Sequence, residues 1–218
     1  MEQLMKTEWL SIINRKRNGS YPAWSDVPIV LTEDTSEKVF DIIDTKDAGD
    51  PIVRPYGEGH ATYFNGDDRH TYHIRFIKVE EFMDQFTQLN PITGERRNWT
   101  KGMTRPDYIA YDLSASKAYF IIHELSTGKI QNKKADAMKQ LLNMIKLLSE
   151  SNLCKEYCQR FANRLCFVSA SGCVTASPCD MAQGFMEAYT RLPDPLPLPN
   201  SSIESRGFKA YQTNAIKL

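Results

Sequence analysis

Two carboxylates stand where two short apolar runs begin and end. Asp107 follows Arg105-Pro106 and opens the run Tyr108-Ile109-Ala110-Tyr111-Asp112-Leu113, while Glu124 lies near the end of the run Ala118 to Leu125. Both runs are strand-length and rich in β-formers, and the polar turn Ser114 to Lys117 between them predicts an antiparallel hairpin. In such a pair the start of one strand lies beside the end of the next, so the two carboxylates should reach one edge of the sheet. There they repel unless a positive charge lies between them. A hard divalent cation such as Mg²⁺ binds one or two carboxylates together with phosphate oxygens, so phosphodiester cleavage is the chemistry this pattern could carry. Because side chains alternate along a strand, Glu124 and Ser126 share one face, and His123 and Leu125 the other. His123 therefore reads as a core histidine rather than a base.

The surrounding pattern supplies elements to hold this pair. Leu4, Met5, Trp9, Ile12 and Ile13 give a short N-terminal helix that ends in Arg15-Lys16-Arg17. Ile29-Val30-Leu31 reads as extended, and Thr35-Ser36-Glu37 as the opening of a helical turn through Val39, Phe40, Ile42 and Ile43. A strand is expected over Tyr72 to Val79, followed by a short amphipathic piece from Glu80 to Leu89. After the hairpin, Ala135, Met138, Leu141, Leu142, Ile145 and Leu148 form an apolar stripe on a helix from about Lys133 to Glu150. A buried strand, Leu165 to Ala170, and a helix over Pro178 to Thr190 follow. Pro193, Pro195, Pro197 and Pro199 favour polyproline II and predict a tail or strap. The expected class is α/β, a mixed central sheet with flanking helices. It divides into an N-terminal extension (1–71), a core (72–192) and a proline-rich tail (193–218).

Charge is segregated along the chain. The 27 basic and 27 acidic residues cancel, yet residues 26–95 hold 15 acids against 6 bases, and residues 96–146 hold 10 bases against 4 acids. The neutral total excludes binding of nucleic acid or membrane by bulk charge and leaves room for a local basic face. Arg96, Arg97, Lys101 and Arg105 beside Trp99 could supply phosphate contacts and a stacking platform.

The series Arg105-Pro106-Asp107, Glu124-Leu125-Ser126, a helix carrying Lys139-Gln140, and the strand at Leu165 resembles the core of the PD-(D/E)XK, or restriction-endonuclease-like, nuclease superfamily. The resemblance covers roughly residues 72 to 171, in the order strand, strand, strand, helix, strand. It implies that Asp107 and Glu124 coordinate Mg²⁺ or Mn²⁺. It also implies that a lysine two residues beyond the second acid positions the attacking water. Ser126 stands at that position here. The resemblance allows the lysine to migrate, and Lys133 or Lys139 on the following helix are the candidates among Lys129, Lys133, Lys134 and Lys139. Gln140 matches a helix glutamine of some of these nucleases, whereas the aromatic that accompanies it is replaced by Met144. Glu33, Glu37 or Glu58 could complete the metal site.

The resemblance implies hydrolysis of DNA phosphodiester bonds. The alternatives are a degenerate nuclease fold that binds nucleic acid or protein, and an interaction protein serving assembly, with a homodimer or protein partner left open. His60, His70 and His73 lack the one-turn spacing of a helical zinc pair. There is neither a Gly-x-Ser-x-Gly elbow nor a Walker phosphate loop. Five cysteines between Cys154 and Cys179, without a Cys-x-x-Cys pair, read as reduced thiols of a cytoplasmic protein. No apolar run approaches the length of a membrane helix, and the first 17 residues do not read as a secretory signal.

Overall fold

A computed structural model describes residues 1–45, 49–67, 69–126, 130–170 and 194–218, with the backbone alone for 130–133. The expected helix over Pro178 to Thr190, together with Lys129, Cys173 and Cys179, lies outside the described residues.

A mixed seven-stranded sheet forms the centre. Its strands are β1 (Thr32–Thr35), β5 (Ile74–Lys78), β8 (Tyr108–Asp112), β9 (Tyr119–Ser126), β10 (Asn163–Ala170), β12 (Lys209–Gln212) and β11 (Leu196–Pro197), in that spatial order. From β1 to β9 every neighbour is antiparallel, and of these pairs β8 and β9 are the successive strands joined by a short turn. The link from β9 to β10 is instead a crossover through α4 (Ile130–Ser149) and α5 (Asn152–Gln159), which returns the chain parallel to β9. Within this sheet the chain order from β5 is thus strand, strand, strand, a two-helix crossover, strand, with a short helix and a two-stranded ribbon inserted after β5.

Alternation gives this sheet two apolar faces. Ile109, Tyr111, Phe120, Ile122, Cys166 and Val168 pack beneath the helices. Ala110, Ile121, Leu125 and Phe167 face a second sheet, of order β13 (Ala215–Lys217), β4 (Ala61–Phe64), β2 (Val39–Ile42) and β3 (Val53–Arg54). The layers are therefore helix, sheet, sheet. The N-terminal segment is α1 (Glu2–Leu4), a π-helical turn (Met5–Trp9) and α2 (Leu10–Lys16), and it buries Met5, Trp9, Ile12 and Ile13 in the helical layer. After β5 come α3 (Val79–Asp84) and a separate ribbon, β6 (Thr87–Leu89) with β7 (Arg96–Asn98).

Three expectations need correction. The helical turn predicted over 35–43 is strand β2. Its Thr-Ser-Glu signal is used locally, with the Thr35 hydroxyl accepting from the Glu37 amide, while Val39, Phe40 and Ile42 take the strand their branched and aromatic side chains favour. The stripe of α4 is rotated: Ala137, Leu141, Met144, Ile145 and Leu148 are buried, Met138 and Leu142 are half-buried and Ala135 is exposed. Finally, the C-terminal residues do more than strap the body. After β11 and the short α6 (Ser201–Glu204), β12 joins the central sheet beside β10 and β13 joins the second sheet beside β4.

Candidate functional site

The register of the β8–β9 hairpin pairs Tyr108 with His123 and Ile109 with Ile122, so Asp107 stands opposite Glu124, one step beyond the last paired position. The Leu125 amide donates to Asp107 Oδ2 at 2.6 Å and fixes that carboxyl against β9. Pairs that face each other across a ladder share a face, and Ile109 and Ile122 place this one under α4. A cavity of about 290 Å³ opens there. Asp107, Glu124, Ser126, Asp136, Gln140 and Asp44 line it.

Burial gives the cavity its electrostatics. The Glu124 residue is 7% exposed, and its Oε2 and the Ser126 Oγ are both buried with no hydrogen-bond partner among the described residues. Both carboxyls are pushed well above the usual carboxylate range. For Asp107 the cause is burial and then repulsion by Asp44, Glu80 and Glu81, partly offset by the Leu125 amide. For Glu124 it is burial and then repulsion by Asp107, offset by a hydrogen bond from the Gln140 side chain. Gln140 Nε2 also donates to the Arg105 carbonyl at 2.8 Å, so this glutamine ties α4 to the segment entering β8.

The donor set suits a hard cation chemically, since Mg²⁺ commonly takes one or two carboxylates and keeps several waters. An unpartnered carboxylate oxygen aimed into a polar cavity is the group such an ion satisfies. Among the described residues, no three His, Cys, Asp or Glu side chains converge as a ready cage.

The remaining expected site residues fall in three places. Lys139 is exposed and does not line the cavity. Position 133 lies one and two helical turns before Asp136 and Gln140 on the same face of α4, and its side chain is outside the described residues. Among the described residues no lysine or arginine lines the cavity. Arg96, Arg97 and Lys101 are exposed on and just after the ribbon strand β7. Trp99, however, is not a stacking platform. It is 8% exposed, meets Tyr21 edge-on at 4.9 Å, lies under the Arg97 guanidinium and donates through Nε1 to Gln88. Arg105 is engaged within the chain by Glu80 and Asp84.

The supplementary acids are also not those expected. Glu33 accepts from the Ile52 and Val53 amides and so ends its work at β3, while Glu37 and Glu58 are exposed, and none of the three lines the cavity. Asp44 and Asp136 are there instead. Asp136 carried a signal, because it precedes Gln140 by one helical turn. Asp44 carried none: its loop is brought in by the Tyr108 hydroxyl, which donates to the Ile43 carbonyl at 2.6 Å and accepts from the Thr45 amide.

His123 lies on the opposite face, fully buried, between Tyr63 and Ser169. Ser169 Oγ donates to the Thr213 carbonyl and must therefore accept from His123 Nε2–H, which leaves Nδ1 to accept from the Tyr63 hydroxyl. Burial pushes the imidazole pKa down to about 3, so it is a neutral core group. No family model, curated protein or solved structure matches the chain.

Among the described residues, no helix is long and apolar enough to cross a membrane.

Proposed function

We propose that this protein is a metal-dependent, restriction-endonuclease-like nuclease that hydrolyses DNA phosphodiester bonds at the cavity between β9 and α4. The observation that carries the reading is Glu124 Oε2, a buried carboxyl oxygen without a partner among the described residues, opposite a second, half-buried carboxyl at Asp107. A carboxylate buried unpaired costs several kcal/mol, and such a cost is retained where a ligand compensates it. The antiparallel trio β5, β8 and β9, the α4 crossover and parallel β10 follow the strand and helix order on which the resemblance rests.

Asp107 and Glu124 would hold Mg²⁺ or Mn²⁺, which when bound polarises a phosphodiester and acidifies a water. Gln140 orients the Glu124 carboxyl through its side-chain amide while its own position is set by the Arg105 carbonyl. Ala137 and Leu125 add apolar lining beside the acids. Arg96, Arg97 and Lys101 would contact the phosphate backbone from the ribbon.

One observation favours a second reading, a nuclease fold that binds nucleic acid or protein without cleaving. Where the resemblance calls for a lysine stands Ser126, whose hydroxyl cannot stabilise a developing anion as an ammonium does. Two measurements test the proposal. Calorimetric titration with Mn²⁺ should show saturable binding to the wild type that is lost in Asp107→Asn with unchanged circular dichroism. Linear, circular and single-stranded DNA should then be incubated with the wild type in Mn²⁺. Metal binding without cleavage of any of the three would leave the second reading standing; unchanged metal binding in Asp107→Asn would sink the site itself.

A further inference from the structure

At the far end of α4 from the acidic cavity lies a cleft of about 630 Å³ with the opposite charge. It is bounded by the last turn of α4, by α5, by the start of β10 and by the turn after α6. Its polar lining is Lys155, Arg164, Arg206, Gln159, Ser149 and Ser205, over a floor that includes the buried Phe208. Among the described residues no carboxylate lines it: of the acids next to its lining residues in sequence, Glu150 pairs with Lys16, Glu156 is exposed outside the cleft and Glu204 opens onto the neighbouring groove.

The three cations are free of carboxylate partners among the described residues, unlike Arg75 and Arg105 elsewhere in the chain. One of them is held in place. Arg164 donates from Nε to the Gly207 carbonyl at 3.0 Å and from Nη1 to the Phe161 carbonyl at 3.1 Å. These bonds leave Nη2 directed along the Gly207 backbone. Gly207 has φ +78°, and a Cβ there would come within 2.8 Å of that nitrogen, so the glycine both makes the turn and makes room for the guanidinium. Arg206 is steadied by a bond from Nη1 to the Ser202 carbonyl at 2.7 Å.

We propose that this cleft is a binding site for a diphosphate-bearing anion. The argument is one of size and charge. The volume falls in the range of small-ligand sites, about 300–1,000 Å³. Two arginines and a lysine supply three positive charges, and the serine hydroxyls add neutral donors for phosphate oxygens. A diphosphate matches that charge more closely than a monophosphate, which carries about −1.5 to −2 at neutral pH. The competing account is that the cations merely offset the negative carbonyl ends of α4 and α6, which both terminate at the cleft. The site does not depend on the nuclease reading, since Gln140 and Leu148 are separated by about 12 Å along α4.

The test is calorimetric titration of the full chain, in chelator and at low salt, with two probes: inorganic pyrophosphate and a nucleoside 5′-diphosphate. Saturable binding of at least one probe is expected. It should weaken about tenfold in Arg206→Ala and in Lys155→Ala, two exposed positions whose loss should not unfold the chain, and fade as salt rises. Tighter binding of the nucleoside diphosphate would identify a nucleotide as the source of the diphosphate, and tighter binding of pyrophosphate a free one. Absence of saturable binding by both probes overturns the proposal. So does equal affinity in the wild type and both variants, or a fall in melting temperature in the variants as their only effect.

Discussion

Asp107 and Glu124 face each other across the β8–β9 ladder with one backbone amide, that of Leu125, donating to Asp107 Oδ2 and no group among the described residues bonding to Glu124 Oε2. The arrangement makes stability depend on pH and on cations together. Both folded carboxyls titrate above the unfolded value of about 4, so the native state binds more protons than the unfolded chain as pH rises from that value toward the raised ones. Their contribution to stability is therefore present at low pH and lost as pH rises. In chelator, Asp107→Asn should raise the melting temperature at pH 8 relative to wild type and change it less at pH 5. Mn²⁺ should stabilise wild type more at pH 8 than at pH 5, because binding must displace the retained protons. Thermal denaturation at the two pH values, with and without Mn²⁺, reads both effects; a mutant effect of equal size at both would contradict the shared titration.

The pairing of these two acids was legible in the sequence because hairpin register is local: a four-residue turn between two β-rich runs leaves little freedom in which residues face each other. Gln140 was legible only through the resemblance, since the stripe read from helical spacing placed the buried face of α4 elsewhere. Asp44 was not. Its place depends on a loop held by the Tyr108 hydroxyl, 65 residues away in the chain, and nothing in the periodicity of residues 39–44 encodes that contact. Trp99 misled because an aromatic among bases can be a platform or a core residue, and only the packing against Tyr21 distinguishes them. The strand β2 was missed where a local Thr-Ser-Glu turn resembled a helix start, and pairing with β4 prevailed over the local signal.

A second prediction concerns Arg75, which clamps the N-terminal helix to the sheet edge. Its guanidinium holds Asp34 in two bonds of 2.6 Å and Glu2 in one of 2.7 Å, while the Tyr111 hydroxyl also donates to Glu2. Arg75 keeps Asp34 below its usual range; at Glu2 its bonds, with that of Tyr111, outweigh burial. Depressed carboxyls contribute stability above their unfolded pKa and lose it as pH falls through the folded one. Because the groups are partly exposed, screening limits the effect, and Arg75→Ala should cost about 1–2 kcal/mol at pH 7 and less near pH 3. Urea unfolding at both pH values measures this, and an undiminished cost at pH 3 would show that packing rather than charge is lost.

The buried chain Tyr63–His123–Ser169 predicts a histidine silent to pH. With the imidazole pKa pushed down to about 3 and an unfolded value near 6.5, the neutral form persists in the native state while the unfolded chain takes up a proton below that value. Stability should fall as pH drops below about 6.5. Nitrogen-15 NMR should find His123 as the Nε2–H tautomer, with no titration between pH 5 and 8. Tyr63→Phe leaves Nδ1 without a donor and should cost about 1–3 kcal/mol. A titrating His123 in that interval would mean that water reaches this face of the sheet.

Ser126 separates a functional cavity from an imperfect core. Its Oγ is buried without a partner among the described residues, at the position where the resemblance calls for a lysine. If the hydroxyl has no role, Ser126→Ala removes an unsatisfied buried group and should leave the protein as stable or more so, by up to about 1 kcal/mol, with nothing else changed. If it faces a hydrated cation or a substrate phosphate, stability should still not fall, while Mn²⁺ affinity or cleavage weakens by about tenfold, the scale of one hydrogen bond to a charged group. Lys139→Ala serves as the comparison, because that side chain is exposed and outside the cavity; cleavage should be within about twofold of wild type. Calorimetry with Mn²⁺ and thermal denaturation of the two variants decide the matter. A marked loss of stability in Ser126→Ala would mean that the hydroxyl finds a partner within the fold, and the cavity would then lose one of the two orphaned groups on which its assignment as a site rests.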